Sequence, residues 1–84
     1  MLSNVTWKKQ NKSLIKEFEF ENFVAVIEFV NKISTIAEKM DHHPDLFIYS
    51  YKKLRVTITT HSENKITDKD YALAEQIDSL IISS

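Results

Sequence analysis

Glycine and cysteine are absent from this 84-residue sequence, and proline occurs once. The absence of cysteine excludes disulfide bonds, thiolate zinc sites and a cysteine nucleophile. The absence of glycine excludes P-loops, dinucleotide-binding loops, the glycine-flanked nucleophile elbow and the EF-hand calcium loop, because each needs a residue without a Cβ atom. Three histidines remain for chemistry, together with carboxylates, hydroxyls and aromatic rings.

An excess of charge and long apolar runs are also missing. Eleven basic residues oppose twelve acidic ones, which leaves a net charge of −1. This balance favours neither nucleic acid nor an anionic membrane as a partner. The longest apolar run, residues 23–27, is far shorter than the roughly 20 residues that cross a bilayer, and the N-terminus has no export signal. We therefore expect a soluble, cytoplasmic protein.

The length and the apolar content predict one small domain over residues 1–84. Apolar residues make up 43% of the chain and charged residues 27%, a balance typical of folded domains. Chains of this size bury only about 60–65% of their extended surface. Because so small a core is marginal on its own, we expect a homodimer or a homotetramer.

The first half of the chain predicts two strands followed by a helix. Residues 7–9 and 14–20 are predicted as short strands, and the second alternates along its length with an aromatic face inward. Asn22 stands where an N-cap residue is expected. A helix over residues 23–40 follows, because apolar residues recur there at intervals of three and four. Pro44 prevents the helix from continuing.

The second half predicts two more strands and a second helix. The strands are expected over residues 46–51 and 53–61. Thr67 is the expected N-cap of the last helix, with Asp70 as an acidic variant of the capping box. The buried stripe of this helix is predicted to comprise Tyr71, Ala74, Ile77 and Ile81. The order ββαββα predicts an α+β fold, a four-stranded antiparallel sheet with two helices packed on one face.

All three histidines lie between positions 42 and 61. His42 and His43 follow the first helix, and His61 is expected to end the fourth strand. The nearby carboxylates are Glu38, Asp41 and Asp70. Imidazoles among carboxylates suit general acid–base catalysis, since free histidine titrates at about pH 6.5, although scattered surface histidines are the commoner case. Metal binding is disfavoured, because adjacent histidines seldom ligate one ion and no His-x₃-His spacing occurs.

These residues resemble the motif of the pterin-4a-carbinolamine dehydratase family. That motif begins with an acidic residue, which is followed after three intervening residues by His-His-Pro. An aromatic residue, a further histidine and an aspartate come later in the chain. Seven residues match it: Glu38, His42, His43, Pro44, Tyr51, His61 and Asp70. The resemblance also includes Trp7, the aromatic residues Phe18, Phe20 and Phe23, and the Thr-x-x-Asp helix start, and it extends over residues 5–82.

Three departures from the family pattern concern the loops and the N-terminus. Residues 62–65 lack the glycine that relatives usually carry after the third histidine. Asn64 tolerates the left-handed conformation better than most residues, so we expect the turn to survive. The stretch 43–61 is one residue longer than in typical relatives, which predicts a strand bulge or a changed turn near Ser50. We also expect no counterpart of the extra N-terminal helix that many relatives carry.

The resemblance implies a hydro-lyase that converts 4a-hydroxytetrahydropterin to quinonoid dihydropterin and water in tetrahydrobiopterin recycling, without a cofactor. The leaving hydroxyl needs an acid, and a ring N–H needs a base. The resemblance implies His42 and His61 as the acid–base pair, in either order, and His43 as the residue that binds and orients the pterin. Tyr51 is expected to pack. The residues expected to tune, orient or shape the site are Asp41, Asp70, Pro44 and a mainly structural Glu38.

A second interpretation belongs to another functional class. Relatives with this fold also act as binding partners, notably as a dimerisation cofactor of a homeodomain transcription factor, and a diverged copy could have lost catalysis. The presence of all three histidines favours the enzyme, since a pure interaction module does not need them. A third interpretation treats the histidines as ordinary surface residues and predicts no pterin binding.

Overall fold

The fold is described over residues 7–82 by a computed structural model. It has six elements: β1 (Lys8–Gln10), β2 (Ser13–Glu19), α1 (Phe23–Met40), β3 (Asp45–Tyr49), β4 (Lys53–Ile58) and α2 (Asp68–Ile82). The predicted order ββαββα and the α+β class are confirmed. Within these residues, neither helix is long and apolar enough to cross a bilayer.

The four strands form one antiparallel sheet in the order β1-β2-β4-β3. β2 and β4 lie at its centre and pair from Leu14 opposite Ile58 to Glu19 opposite Lys53. Since side chains alternate between the faces of a strand, the buried apolar residues of both central strands, Leu14, Phe18, Leu54, Val56 and Ile58, lie on the same face. Buried apolar residues of both helices, Val26, Phe29 and Ile33 of α1 and Leu73, Ala74 and Ile77 of α2, belong to the same cluster, so the predicted packing of two helices on one face is confirmed.

The sequence signals for α1 produce the predicted helix with the predicted bounds. Asn22 precedes it in an extended conformation, and its Oδ1 accepts a hydrogen bond from the Ala25 N–H at 2.9 Å. The buried residues of the helix are Val26, Phe29, Ile33 and Ala37. Their spacing of three and four places them on a single stripe that faces the sheet.

α2 buries most of the predicted stripe: Ala74 and Ile77 are buried, and Ile81 packs half-buried against the core. The buried residues of α2 are Asp70, Leu73, Ala74 and Ile77. The predicted inward position of Tyr71 is wrong, because Asp70 takes the inward place one turn before Leu73 and Ala74. Tyr71 is 45% exposed, and Lys9 Nζ lies 5.7 Å from the centre of its ring. A carboxylate therefore occupies a position on the core side of the helix.

β4 ends three residues earlier than predicted. Its last residue is Ile58, which pairs with Leu14, one residue from the start of β2 at Ser13. The chain beyond makes an isolated antiparallel bridge between Thr60 and Lys65. His61 consequently lies in a turn closed by that bridge rather than at the end of a strand.

The chain also leaves β3 earlier than predicted, at Tyr49 instead of residue 51. The register between β3 and β4 is continuous, so the change expected near Ser50 is a turn rather than a bulge. Ser50 and Tyr51 have φ values of 50° and 51° in this turn. Tyr51 is 58% exposed, so the expectation that it packs is wrong, because the turn carries it out of the sheet.

The lack of glycine leaves ordinary residues in left-handed conformations. Among the described residues, the non-glycine positions with positive φ are Asn11, Lys12, Asp41, Ser50, Tyr51 and Asn64. Asn64 has a φ of 55°, as expected for the residue of its loop that best tolerates this region. Lys12, Ser50 and Tyr51 have no such tolerance, and the Cβ atom costs roughly 1 kcal/mol at each.

Replacing Lys12 with glycine is expected to stabilise the protein by about 0.5 kcal/mol or more. Asn11 and Lys12 form the two-residue turn between β1 and β2, with φ values of 51° and 66°. Positive φ at both positions is typical of the hairpin turn for which Asn-Gly is preferred. Glycine removes the clash of the Cβ atom, although its greater freedom in the unfolded chain offsets part of the gain.

Urea unfolding of wild type and Lys12→Gly measures this difference. Lys12→Ala is the matched control, because it removes the same charge and keeps the Cβ atom. We expect no gain from the alanine variant. Equal stabilisation by both variants would contradict strain as the cause.

Lys16 joins β2 to α2 from inside the protein. It is 8% exposed, and its Nζ lies 2.8 Å from Oδ1 of Asp78. The indole N–H of Trp7 donates to Oδ2 of Asp78 at 3.0 Å. The Lys16 ammonium also lies 5.2 Å from the ring centre of Phe18. Asp78 therefore holds together three parts of the fold through charge-assisted hydrogen bonds.

We expect Asp78→Asn to lower the free energy of unfolding by about 2 kcal/mol and Lys16→Met to lower it much less. The asparagine variant leaves a buried ammonium without a counter-ion, which is the costly way to break a buried pair. The methionine variant places an apolar chain among aromatic rings and removes the cation from a partly exposed Asp78 carboxylate that still accepts from the Trp7 N–H. Denaturant unfolding measures both. Glu19→Gln is the control, because it breaks the exposed Lys52–Glu19 pair. If this control lowered the free energy of unfolding as much as Asp78→Asn does, burial of the Lys16 ammonium would not be the cause of the loss.

Candidate active site

The end of α1 directs His42 toward α2. Asp41 has left-handed angles, and its N–H donates to the Glu38 carbonyl at 3.3 Å. The His42 N–H donates to the Ala37 carbonyl at 3.1 Å. This pair of bonds is a Schellman motif, which satisfies the last helical carbonyls and usually has glycine where Asp41 stands. The backbone at His42 is therefore fixed by the helix end itself.

His42 and Asp70 form the centre of the site. His42 Nε2 lies 2.6 Å from Oδ1 of Asp70, although the two residues are 28 positions apart. The Asp70 side chain is fully buried, and the imidazole is 12% exposed. The two sequence-predicted residues are thus brought into direct contact by the packing of α1 against α2.

The second carboxylate oxygen of Asp70 is also hydrogen-bonded. The Thr60 hydroxyl donates to Oδ2 at 2.8 Å, and the backbone N–H of Thr67 donates to the same oxygen at 2.7 Å. The contact with Thr67 is the half of the capping box in which the side chain of the third helical residue reaches back to the N-cap. Asp70 therefore serves as a helix cap and as a partner of His42 at the same time.

These contacts decide the ionisation of Asp70. Burial by itself would raise the pKa of this carboxyl. The hydrogen bonds from His42, the Thr67 N–H and the Thr60 hydroxyl, together with the charge of His42, outweigh burial and lower the pKa below its ordinary value. Asp70 is consequently ionised at neutral pH.

An ionised Asp70 determines which nitrogen of His42 carries a proton. A carboxylate can only accept hydrogen bonds, so the His42 nitrogen that contacts it, Nε2, must be the donor. In the neutral imidazole the other nitrogen, Nδ1, then carries the free lone pair. The arrangement leaves His42 with one oriented nitrogen and one basic nitrogen.

His43 and Glu38 form a second pair, at the surface. His43 Nε2 lies 2.5 Å from Oε2 of Glu38. The His43 side chain is 55% exposed and that of Glu38 is 73% exposed. Glu38 is thus in contact with a histidine of the motif, a closer relation than the mainly structural role expected from the sequence. The pair orients an imidazole that remains open to solvent.

His61 has no side-chain hydrogen bond or ion pair within residues 7–82, and it is exposed. Its backbone carbonyl accepts from the Asn64 N–H at 3.2 Å, which holds the turn. Thr60, the residue before it, contacts the carboxylate that binds His42. The structure therefore brings the His61 turn to the site without a direct contact between His61 and the other two imidazoles.

Two further predicted residues border the site. The exposed Asp41 contributes its backbone to the helix end, and over the described range its carboxylate makes no hydrogen bond to an imidazole. Pro44 is half-buried between His43 and the start of β3. Among residues 7–82, no group of three or more histidine, aspartate and glutamate side chains is arranged to hold a metal ion.

A cleft of about 270 Å³ opens beside the His61 turn. The residues that line it are Thr60, Ser62, Glu63, Thr67, Asp68 and Lys69. Two of them, Thr60 and Ser62, are the neighbours of His61 along the chain. The cleft therefore separates the His61 turn from the first turn of α2, where Asp70 is held.

Thr60 is a site residue that the sequence motif does not reveal. It is 5% exposed and bonds both Asp70 and the hydroxyl of Thr67, the latter at 2.7 Å. A signal for it exists in the strand pattern, because Thr60 continues the inward row of Leu54, Val56 and Ile58. A hydroxyl at the next inward position after three apolar residues needs a buried partner, and that partner is Asp70.

The family of the chain is evident from comparison with known sequences. A family model described as pterin 4 alpha carbinolamine dehydratase matches residues 1–80. A Sulfolobus acidocaldarius protein, provisionally named pterin-4-alpha-carbinolamine dehydratase, is 46% identical over 74 residues, which are 88% of this chain and 80% of that protein. A Prochlorococcus marinus protein with the same provisional name is 45% identical over 80 residues, 95% of this chain and 83% of that protein.

Solved structures agree with this relationship. The crystal structure of a transcriptional coactivator/pterin dehydratase from Brucella melitensis matches with a TM-score of 0.82 and 33% identity, covering 87% of this chain and 79% of that one. A pterin dehydratase-like protein, identified as a RuBisCO assembly factor in the alpha-carboxysome, has the same fold, with a TM-score of 0.77, 20% identity and coverage of 92% and 90%. The match over residues 1–80 and the identities above 40% establish that this chain belongs to the pterin 4 alpha carbinolamine dehydratase family.

Proposed function

We propose that the protein is a dehydratase that converts 4a-hydroxytetrahydropterin to quinonoid dihydropterin and water. The observation that carries this proposal is the buried His42–Asp70 pair, which leaves Nδ1 of the neutral His42 unprotonated, together with the exposed imidazoles of His43 and His61. Membership of the family supplies the substrate class. The imidazole side chains can carry out general acid–base catalysis, which the reaction needs because a proton is transferred at two positions of the substrate.

The reaction needs one proton delivered and one removed. The hydroxyl on C4a is a poor leaving group until it is protonated, when it departs as water. The adjacent ring N–H loses its proton, and the electron pair of that bond forms the new C=N double bond. An acid and a base that both function near pH 7 are therefore sufficient, and histidine is the side chain suited to both tasks.

His42 is the base in this proposal. Its Nε2 proton is committed to Asp70 at 2.6 Å, so the lone pair on Nδ1 is available to take the ring proton. When Nδ1 becomes protonated, the imidazole carries a positive charge, and the ionised Asp70 stabilises that charge directly. Asp70 thus orients His42 before the reaction and stabilises its charged form during it.

His61 is the acid in this proposal. Its exposed imidazole can take up a proton from solvent after each turnover and deliver it to the hydroxyl. His43, oriented by Glu38 at 2.5 Å, binds the pterin. Asp41 and Pro44 shape the segment that carries His42 and His43, since Asp41 ends α1 in a left-handed conformation and Pro44 precedes β3.

A direct assay tests the proposal. The purified protein is mixed with freshly prepared 4a-hydroxytetrahydropterin, and the absorbance of the quinonoid product is followed with the uncatalysed rate subtracted. We expect a rate proportional to protein concentration that saturates with substrate. A rate equal to the background at all protein concentrations would reject the dehydratase.

An interaction module is the second candidate. The 33% identical Brucella melitensis protein, which is described as a coactivator as well as a pterin dehydratase, favours it. Such a module has no use for a buried carboxylate held against an imidazole, so the His42–Asp70 pair argues for catalysis. Solution mass, measured with and without the dimerisation segment of a homeodomain transcription factor, distinguishes the two when it is combined with the assay.

We also propose that the protein forms a homodimer or homotetramer in the cytoplasm and serves tetrahydrobiopterin recycling. β3 pairs with β4 on one side only, so within residues 7–82 its other side is an open edge. Phe47 on this strand is 54% exposed. An open edge with an exposed aromatic residue favours pairing between copies. Sedimentation equilibrium measures the oligomeric state.

A further inference from the structure

We propose that Thr60 is a positioning residue of this site, which fixes the Asp70 carboxylate against His42 and holds the His61 turn to the same carboxylate. The inference rests on the proposed function for its catalytic consequence. Its structural part concerns only the contacts among Thr60, Thr67, Asp70 and His42, and it can be measured without substrate.

The direction of each hydrogen bond follows from the chemistry of the groups. Asp70 is an ionised acceptor, so the single hydroxyl proton of Thr60 is donated to its Oδ2 at 2.8 Å. Thr60 Oγ1 then has only lone pairs left, and the hydroxyl of Thr67, at 2.7 Å, must donate to it. The resulting series of hydrogen bonds runs from the Thr67 hydroxyl to Thr60 and from Thr60 to Asp70. The other oxygen of Asp70 accepts from His42.

This series of hydrogen bonds fixes the rotation of the Asp70 carboxylate. Oδ2 accepts from two donors that come from different segments, the Thr60 hydroxyl after β4 and the Thr67 N–H before α2. Oδ1 is thereby left to His42 alone among the described residues. Thr60 is 5% exposed and the Asp70 side chain is fully buried, so water has little access to replace a lost donor. Removal of the hydroxyl would leave Asp70 with a single donor on Oδ2.

The backbone of Thr60 connects this carboxylate to His61. The Thr60 N–H donates to the Lys65 carbonyl at 3.3 Å. Its own carbonyl accepts from Glu63 and Asn64, at 3.1 and 2.9 Å. The backbone of Thr60 therefore closes the turn that carries His61, while its side chain binds the group that carries His42. One residue sets the relative position of the proposed acid and the proposed base.

Thr60→Val and Thr60→Ser test the proposal as a pair. Valine keeps the branched shape and removes the hydroxyl, whereas serine keeps the hydroxyl. We expect Thr60→Val to lower kcat about 10-fold or more with KM little changed, as for the loss of a hydrogen bond to a charged group. Thr60→Ser is expected to restore most of the rate. Thr57→Val is the matched control, because Thr57 lies on the helix-free face of β4, and it should keep the wild-type rate.

Proton NMR of the His42 ring gives the second measurement. The Nε2 proton, shared with a buried carboxylate at 2.6 Å, should give a far-downfield, slowly exchanging signal in wild type and in Thr60→Ser. We expect this signal to move upfield or to broaden in Thr60→Val. An unchanged signal together with an unchanged kcat in Thr60→Val would overturn the proposal.

A double variant tests whether Thr60 acts through Asp70. In the Asp70→Asn background, Thr60→Val should cause little further loss of kcat; a full additional loss would overturn the proposed route.

If Thr60→Val does not fold, Thr60→Ala against Thr60→Ser provides the same comparison, because those two differ only by the hydroxyl. If the wild-type protein lacks dehydratase activity, the proposed function fails, and the NMR signal still decides whether Thr60 positions Asp70.

Discussion

Replacing His61 with alanine is expected to lower kcat/KM for 4a-hydroxytetrahydropterin about 100-fold and to leave the fold intact. The rate loss is the usual scale for removing one group of an acid–base pair. The fold should tolerate the change because the His61 imidazole is exposed and makes no side-chain hydrogen bond within residues 7–82. The free energy of unfolding should therefore change by no more than about 0.5 kcal/mol.

Background-corrected initial rates measure this loss, because the substrate also dehydrates without an enzyme. Ser62→Ala is the control, since it alters the next residue of the same exposed turn and removes no titratable group. Added imidazole should restore part of the His61→Ala rate, as the vacated position is open to solvent. If His61→Ala is as fast as wild type, His61 is not the acid, and the pairing with His42 is wrong.

The fold could be predicted from the sequence because its signals are local. The N-cap at Asn22, the apolar period of the following residues and Pro44 define α1 with its observed bounds. Alternation in residues 14–20 and 53–58 defines the two central strands. Each of these signals lies within the segment whose structure it determines, so it can be recognised without knowledge of the tertiary packing.

The ends of the last strands could not be predicted in the same way. β4 stops at Ile58, opposite Leu14 and one residue from the start of β2, so its end depends on where another part of the chain begins its strand. The side of α2 that is buried also depends on tertiary contacts. Asp70 faces inward because Thr60 and His42 satisfy its oxygens, and without those partners the rule that carboxylates face solvent would hold.

The sequence predicts the candidate site as a set of residues but does not predict the contacts among them. The histidine motif identified His42 and Asp70, and they lie 2.6 Å apart. The sequence could not assign the tautomer of His42, because that depends on which nitrogen meets the carboxylate. The contact between His43 and Glu38 was equally hidden, since it joins an exposed helix residue to the segment beyond the helix end.

Replacing Asp70 with asparagine is expected to lower kcat/KM about 100-fold or more. The Thr67 N–H is a fixed donor, so the amide oxygen must face it and the amide NH₂ must face His42. His42 Nε2 would then have to accept, which moves its proton to Nδ1 and removes the lone pair that the proposed base uses. The loss should appear in kcat, because the substrate still meets His43 and His61.

The same variant should lower stability in a pH-dependent way. At pH 7 the loss of charge-assisted hydrogen bonds is expected to cost about 1 to 3 kcal/mol. The folded-state pKa of Asp70 is lowered, so its contribution is complete above the ordinary value of about 3.9 and is lost as the pH falls through the lowered value. The difference in unfolding free energy between wild type and Asp70→Asn should therefore shrink below about pH 4.

Asp68→Asn separates the role of Asp70 from that of any acid at a helix start. Asp68 is an exposed carboxylate in the same first turn of α2, where it interacts with the same helix dipole. Its replacement should leave kcat/KM unchanged and cost no more than about 1 kcal/mol. Equal effects of the two substitutions on rate would mean that Asp70 acts only as a cap. A large rate loss confined to Asp70→Asn would instead require the buried contact with His42, because the two variants remove the same charge from the same turn.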